Sequence, residues 1–402
     1  MTIPFALPYI GSEEEEAVLK VLRSGWLTTS KEALNFEKEF SEFIGARHHA
    51  LAVNSATSGL HLSLEACGVR SGDVVLVPSC TFASDAEAVR YLGADIAFID
   101  SESGGFNLDP CAVEDTLKRL AAGRSAYKNG GPKGRAAAII AVHFGGLPCE
   151  MQRIKDAASE YGVPVIEDCA HAFPAFSADG RTAGTIGDIG VFSFYATKTI
   201  TTGEGGMIVT ANKEMAERMQ VMRLHGIDRP VWNRYNAASL TSVDKKPSWH
   251  YEVVESGFKY NLCDILASIG RVQLKRASWL LGERKKIAAF YDFAFEKNES
   301  FVLPPTALGN AYHLYPLRLN SKKCRLTRDE LIEKLKENGI GTSVHFIPLH
   351  TMPYYKKLYG FTETDFPVAY DNFLREVSLP IFPGMSDDQT EYIISVITSA
   401  LQ

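Results

Sequence analysis

From residue 50 the chain settles into an alternation of short apolar runs and amphipathic stretches. ALAV (50–53), VVLV (74–77), IAFI (96–99), AAIIAV (137–142) and VPVI (163–166) are continuous apolar runs of strand length. Between them, GLHLSLEAC, ASDAEAVRYL and MQRIKDAASEY carry helical periodicity. Strands alternating with helices predict crossover connections and a largely parallel sheet covered on both faces. Apolarity at every position, rather than every second one, predicts that both sides of these strands are buried. Upstream, SEEEEAVLKVLRSG predicts a helix with Ser12 and Glu15 in capping-box spacing and a stop at Gly25, and a second helix is predicted over 31–44.

Two segments break the rhythm. Residues 123–135, GRSAYKNGGPKGR, predict a mobile surface insertion. Residues 226–256 lack periodicity yet hold Trp232, Tyr235, Trp249 and Tyr251, which favours a lid or an interface over disorder. After Gly257 a helical stretch runs to near residue 298. LYPLRL, LTRDELIEKLKENGIG, SVHFIPL and DDQTEYIISVITSAL then mix strands and helices without the parallel rhythm. The predicted organisation is a large domain over 1–256, with a connecting helix and a smaller α/β domain over 257–402.

Composition narrows the classes. Over 402 residues, 46% hydrophobic and 22% charged positions are the balance of a soluble globular chain. A net charge of −6 without a basic run gives no electrostatic footprint for nucleic acid. No run of ~18 apolar residues predicts a membrane span, and the N-terminus lacks the basic and apolar regions of a signal peptide. The seven cysteines are scattered without a CxxC pair, which predicts neither a disulfide framework nor a metal site and places the chain in the cytoplasm.

Ligands of an open parallel sheet bind beyond the carboxyl ends of its strands, so the residues after each apolar run carry the chemistry. NSATSG follows ALAV and opens a helix. The amides of Ala56 and Thr57, with the Thr57 hydroxyl, could hold an anion there, or the segment is plain N-capping. PSCTF follows VVLV, and Phe82 either packs under a helix or stacks on a planar ligand. EDCAHAF follows VPVI. Asp168 there is a helix cap, a metal ligand or the partner of a protonated ring nitrogen, with His171 three residues on. VFSFYATKTITTGEGG places Ser193 and Lys198 at the same edge, five residues apart. A lysine there can condense with an aldehyde if partial desolvation strips its proton. Together these sites fit one ligand bearing a phosphate, a planar ring, a basic ring nitrogen and an aldehyde: pyridoxal 5′-phosphate.

FSFYATK…GEGG, EDCAHAF, NSATSGLHLSL, GFKYNL (257–262) and SLPIFPGMSDDQ (378–389), in that family's order over nearly the whole chain, resemble the DegT/DnrJ/EryC1/StrS aminotransferases. The resemblance implies the α/β architecture of fold-type-I aminotransferases: a large domain with a mostly parallel seven-stranded sheet, a smaller C-terminal domain, and a homodimer with shared active sites. It implies that Lys198 condenses with the cofactor, Asp168 pairs with the pyridinium nitrogen and His171 lies near the ring hydroxyl. Phe82 would stack on the ring, and Ala56, Thr57 and Ser193 would hold the phosphate. Where many members have GxNxRM, this chain has GFKYNL, and Asn261, with Lys259 as the alternative, is the residue assigned to the neighbouring subunit's phosphate. Arg229, His345 and His350 are candidate sugar contacts.

The implied reaction moves an amino group from glutamate, or glutamine, to a nucleotide-linked keto-sugar, with pyridoxamine 5′-phosphate formed between the two halves. A dehydratase of the same family would carry histidine in place of Lys198. A non-catalytic sensor protein is the alternative from a different class.

Overall fold

The computed structural model describes residues 1–228 and 249–401. Its first part runs α1 (Ser12–Ser24), α2 (Lys31–Phe43), β1 (His49–Val53), α3 (Ala56–Ala66), β2 (Val74–Pro78), α4 (Ala83–Tyr91) and β3 (Asp95–Ile99). It continues through α5 (Pro110–Ala121), β4 (Ala136–Val142), α6 (Met151–Glu160), β5 (Val165–Asp168), β6 (Ile189–Ser193), β7 (Gly206–Thr210) and α7 (Lys213–Met222). The seven strands form one sheet in the order β1-β7-β6-β5-β4-β2-β3. β7 runs antiparallel to both of its neighbours, and the remaining pairs are parallel. The reversal has a local cause: β7 follows β6 without an intervening helix, and a chain that returns directly can only pair antiparallel. Lys198 sits in that return.

Each apolar run became a strand. VPVI is displaced towards its end, because Pro164 has no N–H to give a ladder, and the strand instead extends through Glu167 and Asp168. α1 starts one residue before the predicted cap: Gly11 is the N-cap, and its N–H donates to the Glu14 carboxylate at 2.9 Å. Gly25 ends the helix in the left-handed region at φ 73°. The segment 123–135 is tied to the body rather than loose. The Tyr127 hydroxyl donates to the Phe98 carbonyl at 3.1 Å, its ring packs on Phe361 and Phe366, and Arg135 pairs with Asp73.

The second part begins with α8 (Asp264–Phe295), a 32-residue helix that packs on α1 and α2. A three-stranded antiparallel sheet comes next, built from β8 (Phe301–Val302), β9 (Tyr315–Leu319) and β10 (Glu376–Leu379) in the order β10-β9-β8. It is accompanied by α9 (Arg328–Glu337), α10 (Pro353–Tyr359), α11 (Pro367–Arg375) and α12 (Asp387–Ala400). Packing cuts across chain order. Ile3 joins the smaller core with Tyr315, Leu331, Val377 and Ile393, whereas Leu349, Tyr355, Phe361 and Phe366 join the core of the large sheet around Phe98. Strands from one part and loops from the other therefore face a common cleft. Among the described residues no helix is long and apolar enough to cross a membrane.

Candidate active site

A cavity of about 460 Å³ lies at the carboxyl edge of the large sheet, closed on its far side by His313, His345 and Phe346 of the C-terminal part and by Phe5. Its walls are built from the residues just past the ends of β1, β2, β5 and β6.

After β1, Ser55 caps α3, its Oγ accepting from the Ser58 N–H at 3.1 Å. Plain capping is thus supplied by Ser55. The amides of Ala56 and Thr57 still lack a carbonyl within the helix, as first-turn amides must, and both residues line the cavity. Ser193, the last residue of β6, lines the same wall. The last glycine of GEGG has a spatial role: a Cβ on Gly206 would stand 2.8 Å from the Ala56 nitrogen. Only glycine lets β7 begin beside those amides.

After β5, Asp168 is buried and accepts the Ala170 N–H at 2.7 Å. Its carboxyl group meets that of Asp85, which is fully buried on α4 and accepts from the Thr81 hydroxyl. Asp85 Oδ1 has no donor among the described residues. Two buried carboxylates cannot both ionise in contact, so burial first and the Asp168 charge second push Asp85 well above the usual carboxylate range. Burial raises Asp168 as well, opposed by the Ala170 amide, by Asp85 and by the Lys198 charge. Asp85 therefore holds the shared proton, and Asp168 is the acid left ionised towards the cavity.

Lys198 is half-buried, and the surface it keeps is cavity wall. Burial lowers it to about 8; the Asp168 charge opposes that shift and the Arg284 charge adds to it. Arg284 of α8 is buried without an ion-pair partner among the described residues. Its guanidinium donates to the carbonyls of Ile381 (2.8 Å), His313 (3.1 Å) and Thr197 (3.5 Å), fixing the residue before the lysine.

His171 Nδ1 accepts the Gly145 N–H at 3.2 Å, and burial, with the nearby Lys198 charge, keeps the ring neutral. Its ring lies 4.5 Å from that of His313 and stacks on Phe346 at 5.8 Å. Phe82 is the N-cap of α4 and 63% exposed, so it is not a core residue; its free face borders the cavity.

His345 lines the cavity, but His350 does not. His350 is fully buried, 2.5 Å from the Ser79 hydroxyl and 4.7 Å from the Phe366 ring, and this packing removes it from the sugar-contact candidates. Asn261 also lies off this cavity. It accepts from Lys259 and donates to the Thr29 hydroxyl, beside the end of β1. Arg229, Trp232 and Tyr235 lie outside the described residues.

Sequence reasoning missed Asp85, His313 and Arg284. Asp85 had a weak signal, an acid one helical turn after Phe82. His313 and Arg284 had none, since nothing local ties them to the lysine.

The residues present fit pyridoxal phosphate: anion donors at the α3 end, an open aromatic face, an ionised acid, and a lysine with a lowered pKa. The buried acid pair keeps one negative charge at the cavity wall, which suits a protonated ring nitrogen. Comparison with known proteins agrees. The model of the DegT/DnrJ/EryC1/StrS aminotransferase family matches residues 8–398. The spore coat polysaccharide biosynthesis protein SpsC of Bacillus subtilis is 40% identical over 398 residues, 98% of this chain and 96% of that protein. PseC of Helicobacter pylori, an aminotransferase involved in pseudoaminic acid biosynthesis, superposes with a TM-score of 0.86 at 27% identity, covering 100% of this chain and 99% of that one. The PMP form of Spr1654 from Streptococcus pneumoniae gives 0.85 at 28% identity, with 99% of each chain covered.

Proposed function

Starting from the fact that the chain belongs to the DegT/DnrJ/EryC1/StrS aminotransferase family, we propose that it uses pyridoxal 5′-phosphate to move an amino group from glutamate to a nucleotide-linked keto-sugar. The observation that carries this reading is the meeting of Lys198, Asp168, Phe82 and the α3 amides on one cavity. The sugar class is supported by the relatives: SpsC is named for polysaccharide biosynthesis and PseC for pseudoaminic acid.

When bound, the cofactor supplies an aldehyde that condenses with primary amines and a cationic ring that draws electrons from the carbon beside the amine. The protein supplies the rest. The amides of Ala56 and Thr57 and the hydroxyls of Thr57 and Ser193 bind a phosphate. Phe82 covers one ring face. Asp168 holds the ring-nitrogen proton in place, and Asp85, protonated, holds Asp168. Lys198, lowered to about 8, has a substantial neutral fraction near physiological pH and can hold or release a proton at Nζ. His171, kept neutral, offers a hydrogen bond rather than a charge. We place the enzyme in the cytoplasm as a homodimer, with Asn261 turned to the partner's cofactor and Arg229 and His345 to the sugar.

The test is spectroscopic. Protein incubated with pyridoxal phosphate should absorb at the violet–blue boundary, glutamate should bleach that band, and one member of a nucleotide keto-sugar panel should restore it. A band that glutamate leaves untouched refutes amino transfer, and absence of any band refutes the Lys198 assignment.

A further inference from the structure

Behind His345 the small sheet holds an acid that the proposed amino transfer does not use. β10 carries Glu376 and Ser378 two residues apart, so both side chains leave the same face. The free edge of β10 pairs with the chain at Ser343: the Ser378 N–H donates to the Ser343 carbonyl at 2.9 Å, and the Ser343 N–H to the Ser378 carbonyl at 3.3 Å. This pairing brings His345 alongside. Its backbone N–H donates to Glu376 Oε2 at 2.9 Å, its ring Nδ1 lies 2.8 Å from Ser378 Oγ, and that hydroxyl lies 2.5 Å from Glu376 Oε1. Glu376 and Ser378 are fully buried. His345 Nε2, the nitrogen at the other edge of the ring, has no hydrogen bond to a described residue, and His345 lines the cavity.

We propose that Glu376, Ser378 and His345 form a proton relay from the small domain to the oxygen atoms of the bound sugar, a role that rests on the proposed sugar reading only for the identity of the ligand. A proton arriving at His345 Nε2 is matched by transfer of the Nδ1 proton to Ser378 Oγ and of the Ser378 hydroxyl proton to Glu376 Oε1. The reverse order returns it. One proton enters and one is stored, and no electrons move.

The surroundings explain why a relay is needed. An ordinary histidine acid would have to become a cation, and His345 stands close to Lys198 and to the neutral His171, with Phe5 stacked at 5.6 Å. Burial, with Lys198 second, lowers His345 to about 3, so its cation is inaccessible near neutrality. A neutral imidazole can still pass a proton by exchanging tautomers, provided something takes the proton from Nδ1. Burial raises Glu376 to about 8, against the Ser378 hydroxyl, the His345 amide and the charges of Arg328 and Arg318. Those two guanidiniums face Glu376 from α9 and β9 but donate past its carboxylate: Arg328 to the backbone carbonyls of Phe373 (2.8 Å) and Glu376 (3.4 Å), and Arg318 to Asn372 Oδ1 at 2.9 Å. Cys80, which approaches from the large domain, is pushed by burial up to about 12 and remains a thiol. Two groups near His345 gain and lose a proton near neutrality, Lys198 and Glu376, and of these Glu376 is the one bonded through Ser378 to the Nδ1 side of the ring.

The relay makes the His345 tautomer a reporter of Glu376. Protonated Glu376 donates to Ser378, Ser378 donates to Nδ1, and the ring carries its hydrogen on Nε2. Ionised Glu376 accepts from Ser378, Ser378 accepts from Nδ1–H, and Nε2 becomes an acceptor. Nitrogen-15 NMR of histidine-labelled full-length protein, without ligand, reads this directly between about pH 6 and about pH 9. Wild type should change from the Nε2–H to the Nδ1–H tautomer with a midpoint near 8, set by Glu376, and without forming imidazolium. In Glu376→Gln the amide oxygen keeps the His345 N–H and the amide nitrogen donates to Ser378, so the Nε2–H tautomer should persist throughout. Ser378→Ala should uncouple the ring from pH. A wild-type tautomer constant across the range, or the same change in Glu376→Gln, overturns the relay. In the loaded enzyme both variants should lose on the order of 10²-fold in kcat with KM little changed, and a kcat within about twofold of wild type overturns the relay's role in turnover. Should the amino-transfer reading fail, the visible band fails while the tautomer titration stands, so the two failures are distinguishable.

Discussion

Glu167 and Asp168 are neighbours on β5 and leave it on opposite faces, and the two faces treat a carboxylate differently. Glu167 accepts the N–H groups of Gly184 (2.8 Å), Ile186 (2.7 Å) and Gly187 (2.5 Å) and bonds His143 Nε2 at 2.9 Å. Burial alone would raise it, but His143 and these amides outweigh burial and hold it below the ordinary value. Asp168 has one amide donor and a second acid against it, and burial raises it. Full satisfaction marks the acid that staples the 184–187 turn to the sheet. Incomplete satisfaction marks the acid kept for a ligand. The cluster of His143, Glu167 and Cys169 could be taken for a metal site by proximity, yet Glu167 is already saturated by protein donors.

The contrast can be broken most severely at the lysine in front of Asp168. Lys198→Ala should abolish the visible band and lower amino transfer by on the order of 10⁴-fold, and a variant keeping a tenth of wild-type turnover would remove the basis of the ligand-face reading. Glu167→Ala should act on the fold, costing about 3–5 kcal/mol in urea unfolding of ligand-free protein because it leaves a buried histidine and three amides unpaired. A cost under about 1 kcal/mol would mean that Glu167 is no staple. Asp168→Asn should do the opposite: transfer falls about 10²-fold to 10³-fold, while the ligand-free protein is as stable as wild type or gains up to about 2 kcal/mol.

A pH series sharpens the comparison, because the two sites have opposite signs. A lowered carboxyl contributes stability above its unfolded value, 4.5 for Glu167, and loses it as pH falls through the folded pKa. The deficit of Glu167→Gln should therefore shrink in acid. A raised carboxyl contributes stability below its unfolded value, 3.8 for Asp85, and loses it as pH rises through the folded pKa. The advantage of Asp85→Asn in ligand-free protein should therefore grow with rising pH. Parallel curves for the two variants would contradict the assignment. The smallest effect belongs to the phosphate end, where Ser193→Ala or Thr57→Ala should weaken cofactor retention by about 1 kcal/mol, about fivefold by equilibrium dialysis.

Much of this was legible from local chemistry. Continuous apolar runs bordered by small or charged residues located every strand of the large sheet up to β5, together with Lys198, Asp168, Phe82, His171 and Ser193 at its edge. Local signals failed where the deciding partner is remote. The GFKYNL segment at 257–262 gave no sign that Asn261 would donate to Thr29, more than two hundred residues upstream. His350 shares a segment with His345, yet it points into the core behind Ser79. Asp85 reads as an ordinary first-turn helix acid until β5 places Asp168 against it.

By itself the order of residues determined which stretches become the strands and helices of the large sheet up to β5, the edge of the sheet where chemistry gathers, and the amine and acid that face each other there, because hydrophobic periodicity and turn residues act over a few positions. Tertiary structure decided which acid is satisfied and which is left wanting, which histidine reaches the cavity, and which buried groups set the proton affinities of the others. Those properties depend on distance through space and on exclusion of water, and neither is encoded within any one segment.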